Sequence, residues 1–200
     1  MKAGVQQQFD KLLDRKTDKN SATFTAAINW VDDDGVLLSE KRTFTVHKPD
    51  ASGAFLVDKT SEITAVRGDT EFNGDPEHAG LQFRASADVE QNKSAKYLFP
   101  AGAMDKKSVT DARDLPWAAL QFEAGGNHYH VQHMSHPSLA KPVRYSAYRD
   151  YGRFGSFMVT NLKKGDTTTF KCRFYISPGE FPDSLVADSN RRYAEYAGEK

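Results

Sequence analysis

The strongest constraint on how this chain can fold is an alternation of apolar and polar residues with period two. From Ala22 to Val31, Phe24, Ala26, Ile28 and Trp30 alternate with Thr23, Thr25, Ala27 and Asn29. Side chains on a strand point to opposite faces in turn, so this pattern spells a strand with one apolar face. Asp32, Asp33, Asp34 and Gly35 then supply a turn into Val36, Leu37 and Leu38, and the pair reads as an antiparallel hairpin. A calcium loop starting at Asp32 would place its bidentate acid at position 43, which is Thr43, so the acidic stretch reads as a plain turn.

Further strands are expected at Lys41 to Val46, Phe55 to Val66, Gly80 to Arg84, Trp117 to Phe122, Tyr129 to Met134, Gly155 to Thr160 and Thr167 to Ile176. Short strands separated by turn clusters, with no alternating helices, predict an all-β antiparallel sandwich and not βαβ units. The polar start, with Gln6 to Gln8 and Arg15 to Asn20, reads as a lead-in segment. Only the tail departs from the pattern. Pro182, Asp183 and Ser184 open a capped helix whose apolar side is Leu185, Val186, Tyr193 and Tyr196, and it is expected to pack across the sheet. Nothing marks a linker or repeat, so residues 1–200 read as a single domain.

Charge limits the partners. The 27 basic and 27 acidic side chains balance, which gives no footprint for nucleic acid or an anionic membrane surface. No apolar run reaches the length of a membrane span, and the start has no signal-peptide apolar stretch; no compartment follows from these residues. The single cysteine, Cys172, excludes an internal disulfide and any multi-cysteine metal framework.

Four of the six histidines crowd into one stretch: His128, His130, His133 and His136. Gly125, Gly126 and Asn127 permit a tight connection, which makes His128 to Met134 a return strand. Alternation puts His128, His130 and Gln132 on one face, read as open, and Tyr129, Val131 and His133 on the core face. His128 and His130 have a metal-ligand spacing that needs a third donor, for which His78 and Glu123 are candidates. Solvated or hydrogen-bonding histidines are the competing reading. His136 precedes Pro137 in a loop at a strand end, a common place for binding groups.

Between Val143 and Gly155 the chain is dense in arginine and tyrosine, including Arg144 and Tyr151. Aromatic faces pack on the apolar side of a sugar ring, while arginine forks hold hydroxyls or an acidic substituent. Arg84 and Arg113 add charges that can face the same cleft, with structural ion pairs as the alternative.

These residues carry a family resemblance. Gly80 to Arg84, Arg113 before Trp117, His136 and Pro137 with Pro142, Tyr151 to Phe154, Leu162 to Gly165, and Arg173 to Tyr175 before Gly179 occur in matching order, as do the earlier Trp30, Asp34, Gly35, Leu38 and Glu40 to Arg42. Their order resembles the DUF6807 family, labelled methane oxygenase PmoA-like. The resemblance implies a galactose mutarotase-like supersandwich, incomplete here, whose concave sheet receives sugars. It also implies a histidine-rich upstream segment lying before the first residue of this chain. Of the clustered histidines only His136 belongs to the family pattern.

The resulting expectation is a carbohydrate or sugar derivative held near Arg84, Arg113, His136, Arg144 and Tyr151. If a reaction follows, His136 is the group expected to move a proton. The alternatives are a metal-dependent oxidation or hydrolysis site at His128 and His130, and a noncatalytic scaffold whose sheet is completed by an upstream segment or a partner chain. No cofactor is specified by these residues.

Overall fold

The computed structural model describes residues 4–198, and antiparallel strands dominate it. In chain order these are β1 (Gln6–Thr17), β2 (Ser21–Asp32), β3 (Gly35–His47), β4 (Phe55–Ala65), β5 (Thr70–Phe72), β6 (Leu81–Arg84), β7 (Lys96–Leu98), β8 (Trp117–Ala124), β9 (Asn127–Ser135), β10 (Arg144–Ser146), β11 (Arg153–Phe157), β12 (Thr160–Leu162) and β13 (Thr167–Pro178). Two short helices, α1 (Ala87–Asn92) and α2 (Lys106–Asp111), interrupt them, and α3 (Leu185–Ala197) follows the last strand.

Eight strands form one sheet in the order β1-β2-β3-β4-β13-β9-β8-β7, faced by a three-stranded sheet, β10-β11-β6, and a two-stranded one, β12-β5. The antiparallel sandwich with a C-terminal helix expected from the alternation is therefore present. Register explains the layers. Trp30 pairs with Leu38, and Leu38 with Ala65, so these apolar side chains share one face. On that inner face they meet Leu81, Tyr145, Phe154 and Leu162 from the small sheets, forming the main core. The outer face carries Trp117, Ala119 and Met134, which Leu185 of α3 covers in a second core. The tail helix thus packs across the sheet, as its apolar side required.

Two expectations need correction. The polar start is not a lead-in but β1, paired along the length of β2 and exposed throughout. Its strand character was hidden because register shifts between Phe9 and Lys11, and between Leu12 and Asp14, break the period-two pattern. The stretch Gly155 to Thr160 is not one strand either. β11 ends at Phe157 beside β10 and β6, and the chain crosses to pair Thr160 with Phe72 of β5. At the acidic turn, Arg67 grips Asp32, with Nη1 2.6 Å from Oδ1, and this hydrogen bond holds the carboxyl below its usual range.

Candidate functional site

A cleft of about 450 Å³ opens where the inner face of β2, β3, β4 and β13 meets the segment from Gly74 to Gln82. Trp30, Phe72 and Phe170 supply aromatic surface, and Trp30 and Phe170 each meet Phe72 edge-on, at 5.9 and 5.7 Å between centroids. Polar groups are set among them: Gln7 from β1, Arg42 from β3, Lys59 and Ser61 from β4, and Asp75 and His78 from the opposite wall.

Glu40 organises the floor. Its side chain is 1% exposed, and it accepts from Trp30 Nε1 at 2.8 Å, from Arg42 Nε at 2.7 Å and from Arg42 Nη2 at 2.8 Å. Burial alone would raise this carboxyl, but hydrogen bonds from Arg42, Ser61 and Trp30, together with the Arg42 charge, outweigh it and hold the group ionised. Arg42 reaches outward as well, its Nη2 donating to Gln7 Oε1 at 2.7 Å. Lys59 sits diagonally across from Arg42, since Arg42 pairs with Ser61 and Phe44 with Lys59. Desolvation, with the nearby Arg42 charge, pulls the Lys59 ammonium below its ordinary value. On the far wall His78 Nδ1 lies 2.6 Å from Asp75 Oδ2. Gln82 Nε2 donates to Ala79 O at 2.7 Å, while its buried Oε1 has no hydrogen-bond partner among the described residues.

The residues expected to share one sugar site are dispersed. Arg84 and Tyr151 do meet, with the guanidinium 5.9 Å from the ring centroid and Arg153 equally near, but Arg84 also reaches Glu90 at 3.6 Å on an open surface. Arg113 is exposed and turns back to the carbonyls of Thr110 and Ala112. Arg144 lies half-buried on β10. His136 belongs to the other side of the large sheet, edge-on to Tyr196 of α3 at 5.2 Å, with Nδ1 2.8 Å from Ser138 Oγ. Burial and the Lys171 charge lower its pKa. Strand alternation cannot report which loops end on which side of a sandwich, and none of these five residues borders the cleft.

A family model now decides the relationship. The model of a family of unknown function, DUF6807, matches residues 2–190. The chain belongs to the DUF6807 family. No curated protein matches this DUF6807 chain. Among solved structures it is similar to the heparan sulfate lyase HepC from Pedobacter heparinus, at 12% identity and a TM-score of 0.41, and to a mutant of that lyase, at 12% identity and 0.43. Each likeness covers 88% of this chain and 22% of the lyase, so the DUF6807 chain spans only about a fifth of the length of those structures.

The face holding His128, His130 and Gln132 in this DUF6807 protein is not open, which corrects the expectation. Alternation sorted the side chains properly, but the segment from Gly179 to Phe181 covers His130 and α3 covers Gln132. His130 is 4% exposed, its Nδ1 3.1 Å from Gly179 O, and its ring meets Tyr175 and Phe181. Burial lowers its pKa. His128 stays accessible, 3.6 Å from Glu180, and stands opposite Glu123 in the register. His78 lies at the cleft, on the other side of the sheet. Among the described residues no three His, Cys, Asp or Glu side chains gather to hold a metal ion, and no helix is long and apolar enough to cross a membrane. The cleft residues missed as a site had left one signal: Trp30 and Glu40 to Arg42 were already part of the family pattern.

Proposed function

We propose that this DUF6807 protein binds a sugar or sugar derivative in the cleft between its large sheet and the Gly74 to Gln82 segment. The observation that supports this reading is the composition of one cavity: aromatic surface from Trp30, Phe72 and Phe170 beside hydrogen-bonding groups from Gln7, Arg42, Lys59 and Gln82. Ring C–H groups pack on aromatic carbon, and hydroxyls need the donors and acceptors. A cavity of about 450 Å³ is within the size of ordinary small-ligand sites. The Arg84, Tyr151 and Arg153 surface is a secondary contact for a longer chain of sugars. The methane-oxygenase label has no part in this reading, which stands on binding whether or not a reaction follows.

A glycan and monosaccharide screen, read by quenching of Trp30 fluorescence and by calorimetry, tests the proposal. Trp117 is fully buried beneath α3, so a saturable change reports on the cleft. Binding that is lost in Trp30→Ala but retained in Tyr151→Ala supports the cleft, and no binding by any sugar overturns it.

A second reading, a scaffold completed by another segment or chain, is favoured by one observation. The inner face beyond the cleft leaves Phe9 at 69%, Phe24 at 43% and Val46 at 38% exposure, next to the unpaired edge of β1. Surface of this kind invites pairing. Sedimentation of the chain at rising concentration checks it: association that a Phe9→Ser, Phe24→Ser variant abolishes supports the scaffold, and a monomer throughout counts against self-assembly.

A further inference from the structure

Charge bookkeeping in the cleft leaves one cation over. The surplus lies on the sheet floor, where Glu40 is neutralised by Arg42; the Asp75 carboxylate belongs to the opposite wall, where it accepts from the Glu77 N–H and meets His78. Lys59 has no ion pair and no side-chain hydrogen bond among the described residues, although it lines the cavity. Its cross-strand neighbours on the inner face are Phe44 and Cys172. Phe44 brings no charge. Cys172 is fully buried, and burial pushes its thiol up to about 12, so it is not an anionic counterpart at neutral pH. Arg42 spends Nε and Nη2 on Glu40 and Gln7, which leaves Nη1 without a hydrogen-bond partner among the described residues. Two cationic groups from adjacent strands therefore border one cavity, and among the described residues no carboxylate is paired with Lys59, Glu40 being taken up by Arg42 and Trp30 and Asp75 by the opposite wall. A desolvated cation is unfavourable until it is paired.

We propose that the cleft takes an anionic sugar, a ring bearing a carboxylate or a sulfate ester, with the anionic group on Lys59 and the free edge of Arg42 and the ring against Trp30 and Phe170. This rests on the sugar reading above and narrows it. A bare inorganic ion would use the two cations but leave the aromatic surface and Gln82 idle.

Calorimetric titration of the whole chain with glucuronate, glucose 6-sulfate, glucose and inorganic sulfate tests the idea. At low salt, glucuronate or glucose 6-sulfate is expected to bind at least about tenfold more tightly than glucose, a ratio that falls as salt rises. Lys59→Met should abolish the preference for the anionic sugars over glucose, and Lys59→Arg should keep it. Equal binding of glucose and both anionic sugars overturns the anionic assignment and leaves the sugar reading standing. Binding of inorganic sulfate alone, or of nothing, overturns both. The wild-type comparison needs no variant, so the outcome does not depend on whether Lys59→Met folds.

Discussion

Trp30 and Glu40 are joined across neighbouring strands, the indole Nε1 donating to the carboxylate over 2.8 Å at a site where the Glu40 side chain is 1% exposed. One acceptor therefore serves a tryptophan, an arginine and, through Ser61, the next strand. Glu40→Ala removes it and leaves the Trp30 N–H and the Arg42 guanidinium without their partner. Breaking a buried pair costs about 3–5 kcal/mol, and with Arg42 partly open to solvent about 2–3 kcal/mol is expected here. Glu40→Gln keeps an acceptor for Trp30 and should lose less. Urea unfolding of the two variants, with equal losses, would contradict this account of the floor.

His133 gives the fold an acid sensitivity. Its ring is fully buried, edge-on to Phe174 at 4.9 Å and Tyr145 at 5.5 Å, and burial pushes its pKa down to about 3 from an ordinary 6.5. The folded value is depressed, so the unfolded chain binds the proton more readily. The contribution is complete above pH 6.5 and is lost as pH falls towards 3, by up to about 1.4 kcal/mol per pH unit. His130, also lowered by burial, adds in the same direction. Carboxylates held below their ordinary values of 4.5 (Glu40) and 3.8 (Asp58) contribute mainly below about pH 5, so melting between pH 6.5 and about 5 isolates the histidines. His133→Phe should flatten that part of the profile, and an unchanged slope would show that the ring is not its source.

How much of this was readable beforehand depends on whether the signal was local. The β2–β3 hairpin was legible because its alternation and its turn both lie within one short stretch. β1 was not, because its bulges put Phe9, Leu12 and Leu13 out of period. For the histidines, alternation separated His130 and Gln132 from Val131 and His133, yet only tertiary packing decides that Phe181 and α3 lie over the first pair. The cleft was the least legible. Arg42 and Lys59 become neighbours through strand register, and the opposite wall comes from a segment that returns to them over the small sheets. Lys59 sat unnoticed inside a strand whose remaining residues look ordinary.

Gly155 shows how closely the small sheet is built. A Cβ there would lie 2.1 Å from Leu81 O and 2.7 Å from Gln82 Cα, both backbone atoms of the paired strand β6. Backbone cannot step aside as the end of a side chain can. Gly155→Ala should therefore cost about 3 kcal/mol or more, the upper end for overpacking. Because Gln82 borders the cleft, ligand binding should weaken as well. Gly125→Ala is the control: its Cβ would meet nothing within 4 Å, and only the strain of a φ of +57° should register in thermal melting.

Gln132 is the polar anchor of α3. Its residue is fully buried, with Nε2 donating to Ser189 O at 3.0 Å and Oε1 accepting from Arg192 Nε at 2.8 Å. Arg192 lies 4.0 Å above the Tyr175 ring, and Trp117 Nε1 donates to Asn190 Oδ1 at 2.9 Å, so four contacts fix one turn of the helix. Gln132→Leu preserves much of the volume but removes one hydrogen bond from the Ser189 carbonyl and one from the half-buried Arg192 guanidinium, which keeps Ser189 Oγ and the Tyr175 ring, a loss of about 1–3 kcal/mol. That loss falls on the contact between helix and sheet. Hydrogen exchange should quicken across Leu185–Ala197 while β2 and β3, which have no part in the outer core under α3, keep their protection. Uniform loosening of every strand would mean that the helix is part of one cooperative unit with the sandwich. Local loosening, with sugar binding intact, would separate the outer face that carries His130 and His136 from the inner face that carries the cleft.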